Sequence, residues 1–162
     1  MSKIGIFSDS HEHIEYIRKA LSLFKKENVD AIIHCGDLIS PIMSRIFNDL
    51  GIPAYFVYGN NDGERLFLEK TLRKAGVNTF VGPSSINILD KKILFMHEPV
   101  EINSLFEHGS FDLICYGHTH KIDILEKEGK FLVNPGETCG LLTGKKTVAI
   151  VDFDKGVDII EL

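Results

Sequence analysis

Ile4-Gly5-Ile6-Phe7-Ser8-Asp9-Ser10-His11 decides the fold: an apolar run broken by a polar turn, then Ile14, Ile17, Leu21 and Phe24 at helical spacing. An uninterrupted apolar run reads as a strand buried on both faces, and spacing of three to four reads as an amphipathic helix, so the stretch is strand, turn and helix. Asp9 and His11 fall just past the strand's carboxyl end. The arrangement recurs four times: Ala31-Ile32-Ile33 leads to Asp37, Tyr55-Phe56-Val57 to Asn60, Ile93-Leu94-Phe95-Met96 to His97, and Leu113-Ile114-Cys115-Tyr116 to His118 and His120. Open α/β sheets present ligand groups beyond the carboxyl ends of their strands, so these remote residues are expected to meet at one rim.

Working outward, Ser40-Pro41 predicts a helix start with Ile42, Ile46 and Leu50 on one face and Gly51 as the stop. Asp62-Gly63 introduces another helix through Leu68, Leu72 and Ala75, closed by Gly76. Alternating strands and helices favour a parallel sheet with right-handed crossovers. The second half reads instead as strands at Ile86 to Leu89, Ile93 to Met96, Leu113 to Tyr116, Ile122 to Glu126, Phe131 to Asn134, Thr147 to Phe153 and Val157 to Leu162, with one short helix near Ile102 to Glu107. Turns at Asp90-Lys91, Glu128-Gly129 and Asp154-Lys155-Gly156 predict hairpins. The expected fold class is α/β, with two packed sheets flanked by helices.

A chain of 162 residues, 44% hydrophobic and 25% charged, fits a single domain over residues 1–162. No run approaches the roughly 20 apolar residues of a membrane span, and the N-terminus lacks the pattern of a signal peptide, so a cytoplasmic protein without membrane partners is expected. The net charge of −5 argues against broad nucleic-acid binding, and pairs such as Lys25-Lys26, Lys91-Lys92 and Lys145-Lys146 read as solvated loop ends. Cys35, Cys115 and Cys139 are odd in number and far apart in sequence, which points to reduced, packed thiols.

Asp9-x-His11, Gly36-Asp37, Gly59-Asn60 and Gly117-His118-Thr119-His120 supply carboxylate, imidazole and carboxamide groups. This mixed oxygen and nitrogen set suits Mn, Fe, Co, Ni or Zn rather than calcium. With His97 the set numbers seven, too many for one tetrahedral ion but suited to two ions sharing a carboxylate. Two ions roughly 3.5–4 Å apart can activate a hydroxide and clamp a phosphoryl oxygen, so phosphoester hydrolysis is the natural reaction class. Each residue also has a structural reading: Asp9 as a helix cap, His11 as a first-turn surface residue, Asp37 and Asn60-Asn61-Asp62-Gly63 as turn formers. Their joint order at successive strand ends favours the metal centre. His34 is expected to be packed with one hydrogen bond, and His13 and His108 to be exposed.

The order Asp9-x-His11, Gly36-Asp37, Gly59-Asn60-Asn61-Asp62, His97, Gly117-His118-Thr119-His120 resembles the calcineurin-like metallophosphoesterase family, in particular its small bacterial and archaeal phosphodiesterase branch. Asn134-Pro135-Gly136-Glu137 resembles that branch's Asn-Pro-Gly-Ser segment. The resemblance implies a four-layer α/β/β/α sandwich of two mixed sheets. It implies two divalent transition-metal ions, manganese first among Mn, Ni, Co, Fe and Zn. Asp9, His11 and His120 would hold one ion, Asn60, His97 and His118 the other, and Asp37 would bridge. Asp37, Asn60 and Asp62 would act in catalysis, Asp62 by bracing its loop, and Asn60 and Asn61 would face a small phosphoester. Homodimers or homotetramers are implied as well.

Two departures stand out. Asn61 occupies the position of the family's histidine and cannot serve as a general acid at neutral pH, so esters whose leaving group needs no protonation should react best. His97-Glu98-Pro99 replaces His-Gly-His, which removes a phosphate-facing histidine and places a carboxylate near the anion. A phosphomonoesterase is one alternative. Another is a catalytically weak, metal-binding scaffold, as in the retromer subunit of this fold.

Overall fold

The first strand, β1 (Lys3–Phe7), has no solvent face: Ile4 and Ile6 point one way into a core, Phe7 the other, and Gly5 leaves room for the Phe24 ring. The structure, a computed structural model, describes residues 2–162. After β1 come helix α1 (Ile14–Lys26), β2 (Ala31–His34), a 3₁₀ helix (Pro41–Phe47), β3 (Ala54–Val57), α2 (Arg65–Lys74) and β4 (Val77–Phe80). Then follow β5 (Ser84–Ile88), β6 (Lys91–Phe95), α3 (Ile102–His108), β7 (Leu113–Cys115), β8 (Ile122–Lys127), β9 (Lys130–Pro135), β10 (Thr147–Asp152) and β11 (Gly156–Glu161).

One sheet has the order β11-β10-β1-β2-β3-β4 and the other β5-β6-β7-β9-β8. Both are mixed: β1 to β4 run parallel with β10 antiparallel on β1, and β6, β7 and β9 run parallel between antiparallel edges. Ile4, Ile6, Ile33 and Val57 meet Phe95, Cys115 and Val133 between the sheets. Phe7, Ile32 and Phe56 pack outward on Ile17, Phe24 and Leu68, and Leu94, Ile114 and Leu132 pack outward on Phe106. The result is the α/β/β/α sandwich, in which burial on both faces explains why the strands lack polar alternation.

One local expectation fails, and one strand is unexpected. The segment after Ser40 forms a 3₁₀ helix, and at three residues per turn Pro41, Ser44 and Phe47 line its buried face while Ile42 stands exposed. Strand β4 has no apolar run to announce it, because Asn78 and Thr79 occupy a sheet edge where polar side chains reach solvent. No helix among the described residues is long and apolar enough to cross a membrane.

Candidate metal centre

Strands β1, β2 and β3 of one sheet and β6, β7 and β9 of the other direct their carboxyl ends to one rim. Backbone bonds tie the emerging segments together: the Asp9 amide donates to Gly36 O at 3.0 Å, His11 to Asp37 O at 3.0 Å, Gly117 to His97 O at 3.1 Å and Thr138 to Ser8 O at 2.9 Å. The glycines serve this convergence. A β-carbon at Gly59 would collide with Asp37, and one at Gly117 with Ser8 and Asp9, so the space beside each glycine is filled by a neighbouring strand end.

All seven expected ligands meet there. Asp37 Oδ2 lies 3.5 Å from His11 Nε2 and 3.5 Å from His97 Nε2, between the two groups. On one side Asp9 Oδ1 stands 3.4 Å from His120 Nε2, and the His11 and His120 rings are 5.3 Å apart. On the other, Asn60 Oδ1 is 2.9 Å from His97 Nε2 and 3.1 Å from His118 Nδ1. Asp9, His11, Asp37, His118 and His120 all have positive φ, a sparsely populated backbone region whose use clusters at functional sites. Asp9 is no helix cap, since α1 begins at Ile14 with His13 in the cap position.

The hydrogen-bond chemistry calls for cations. His97 Nδ1–H donates to Cys35 O at 2.7 Å, which leaves Nε2 a bare acceptor facing the Asp37 carboxylate. His120 Nδ1–H donates to Glu137 Oε2 at 2.7 Å, so its Nε2 likewise faces Asp9 Oδ1, acceptor to acceptor. Asp9 Oδ1 and His11 Nε2 are buried without a hydrogen-bond partner, and burial pushes the Asp9 carboxyl above its ordinary value. Unpartnered Asp9 Oδ1 and His11 Nε2, together with the inward lone pairs of His97 and His120 Nε2, converge on one space, an arrangement that fits divalent cations.

Asn61 and Asp62 both work on Asp37. The Asn61 backbone amide donates to Asp37 Oδ1 at 2.9 Å and its side-chain amide to Oδ2 at 2.7 Å. Asp62 accepts the amides of Asp37 at 3.0 Å, Leu38 at 2.8 Å, Ile39 at 2.7 Å and Gly59 at 2.7 Å, joining the second and third strand ends. Glu98 is exposed and lines a cleft together with Asn60 and His97.

Glu137 is the residue the motif reading passed over. Buried, it accepts from His120, from the Leu142 amide at 2.9 Å and from the Thr143 hydroxyl at 2.7 Å. Burial alone would raise its pKa, but the Thr143 amide and hydroxyl, His120 and the Leu142 amide together hold it down at about 2. The one available signal was a glutamate in place of the family's serine. Cys139 lies close to His11 and His120; burial pushes its thiol up to about 12, and in the metal-free protein its S–H donates to Glu137. Cys35, Cys115 and Cys139 are all free and buried.

Of the remaining histidines, His34 makes two hydrogen bonds rather than one: Nδ1 accepts from the Gly36 amide at 3.1 Å and Nε2–H donates to Ser10 Oγ at 2.9 Å. His13 is half-buried and stacked on Tyr16, not exposed, because the turn into α1 folds it over that ring, while His108 is exposed.

Comparison with known proteins decides the family: the calcineurin-like phosphoesterase superfamily domain matches residues 2–156. The chain belongs to the calcineurin-like phosphoesterase superfamily. It is 38% identical over 156 residues to a protein of Methanocaldococcus jannaschii named as a phosphodiesterase, with 94% of each chain covered. A probable metallophosphoesterase of Bacillus subtilis is 30% identical over 159 residues, covering 91% of this chain and 88% of that one. The solved structure of an archaeal phosphodiesterase superposes with a TM-score of 0.90 at 38% identity, covering 99% of each chain. As a phosphoesterase of this superfamily, the chain is an enzyme whose family chemistry uses divalent metal ions.

Proposed function

We propose that the chain is a phosphodiesterase, with Asp9, His11 and His120 holding one divalent cation, Asn60, His97 and His118 a second, and Asp37 serving both. Manganese is the first candidate, and residues 1–162 act as one cytoplasmic catalytic domain. The observation that carries this reading is the position of Asp37 Oδ2, 3.5 Å from an imidazole nitrogen of each group. Bound there, the cations supply Lewis acidity toward phosphoryl oxygens and lower the pKa of an attacking water.

The chain's own residues do the positioning. Asn61 and Asp62 hold the Asp37 carboxylate and its loop, while Cys35 O and Glu137 fix the tautomers of His97 and His120 so that their free nitrogens face inward. Asn61, committed to Asp37, offers no acidic proton to a leaving group. The expected substrates are therefore diesters of acidic alcohols or phenols.

The 38% identical relative named as a phosphodiesterase supports the choice of diester over monoester. The test is manganese-dependent hydrolysis of bis(4-nitrophenyl) phosphate beside 4-nitrophenyl phosphate on one preparation, with Asp37→Ala as control. Faster turnover of the diester, abolished by the substitution, is expected. Preferential monoester turnover, or activity surviving in Asp37→Ala, would overturn the reading.

A further inference from the structure

Beside the metal centre lies a cleft of about 440 Å³ that Asn60 and His97 help to line. Its walls are chemically unlike the centre. Met96 and Tyr58 are buried in the wall, whereas Val81 and Val100 stand 78% and 51% exposed at its rim. Two exposed valines bordering one cleft leave apolar surface in water, an arrangement relieved when an apolar group fills the space between them.

Arg65 adds fixed charge to the same cleft. Its Nη2–H donates to Gly59 O at 2.8 Å and its guanidinium lies 5.6 Å from the centre of the Tyr58 ring, so the cation is anchored near the candidate ligand Asn60. A phosphodiester carries one negative charge and two organic substituents, whereas the metal centre accounts only for the phosphoryl group.

We propose that this cleft is the subsite for one ester substituent, and that it selects a flat apolar ring, such as an aryl group or a nucleobase, over a small alkyl group. The proposal rests on the phosphodiesterase reading, because the cleft derives its meaning from opening onto the centre. Tyr58, Met96 and the valines supply the apolar contact, with Arg65 attracting the anion to which the ring is attached. Glu98, on the same cleft, disfavours a second negative charge on that substituent.

The test uses phenylphosphonate and methylphosphonate as competitive inhibitors of diester hydrolysis by the manganese-loaded enzyme. The phenyl compound should inhibit at about tenfold lower concentration, as expected from burying one ring. In Val81→Ser/Val100→Ser, which removes the apolar rim without adding charge, that preference should vanish, read as the ratio of the two inhibition constants on one preparation. Both positions are exposed, so the variant should fold, and unaltered thermal unfolding verifies it. Equal inhibition by the two compounds in the wild type, or a preference that survives the double substitution, overturns the subsite and leaves the hydrolase intact. Absence of diester hydrolysis removes the hydrolase reading, and the subsite with it.

Discussion

The two halves of the metal centre are built to different standards. Asp9, His11 and His120 bring a buried carboxylate and two imidazoles on strained turns, and Glu137 holds His120 from behind within a set of donors from Leu142 and Thr143. Asn60, His97 and His118 bring no charge of their own; Asn60 and His118 are exposed, and only His97 has a buried partner behind it, the Cys35 carbonyl. Charge and rigidity both raise cation affinity, so the first half should bind tightly and the second should depend on Asp37 and on substrate. The lesson is that a shared ligand can couple two unequal sites.

Removing the shared group should have the largest effect. Asp37→Ala is expected to lower kcat by at least about a hundredfold, beyond the loss typical of an outer partner, and to weaken both cations in calorimetric titration. Retained binding at the Asp9 group would uncouple the halves. Glu137→Gln should weaken only the first cation, by about 10- to 100-fold, because His120 loses its charged acceptor. Titration with two resolved phases checks this, and an equal loss in both phases would contradict the asymmetry.

Asn61→His sharpens the comparison from the other side. A histidine there should speed hydrolysis of alkyl diesters by about tenfold, below the 10²–10⁴ of a well-placed general acid, because this position is turned toward Asp37. Rates on alkyl and nitrophenyl diesters should diverge in the variant, and equal changes on both would contradict the assignment.

The smallest effect is on stability against pH in the metal-free protein. Burial depresses the His34 pKa to about 3 from 6.5, so the unfolded chain binds the proton first, and this stabilisation, present above pH 6.5, is lost as pH falls toward 3. Glu137, held at about 2 against 4.5, stabilises above pH 4.5 and loses its contribution as pH falls through about 2. Thermal unfolding from pH 7 to 2 should therefore decline in two stages, and Glu137→Gln should flatten only the acidic one.

The strand ends were legible because runs such as Ile4 to Phe7 and Leu113 to Tyr116 are buried on both faces and carry their ligands immediately afterwards. Fold class and the convergence of Asp9, Asp37, Asn60, His97 and His120 followed from that pattern. The 3₁₀ helix did not, because Ile42 and Ile46 mimic an α-helical stripe while the three-residue period of Pro41, Ser44 and Phe47 decides burial. Glu137 was hidden for a related reason. Its role comes from contacts with His120, seventeen residues away, and with a loop after Gly140, and no local periodicity encodes those. The cleft at Arg65 and Val100 likewise joins segments that only the folded rim brings together.

Electron paramagnetic resonance of the metal-free protein titrated with manganese tests the shared carboxylate most directly. A first ion should give an isolated Mn(II) signal, and a second should convert it to an exchange-coupled spectrum that Asp37→Ala abolishes. A second equivalent that only doubles the isolated signal, or coupling that persists in Asp37→Ala, would contradict the account.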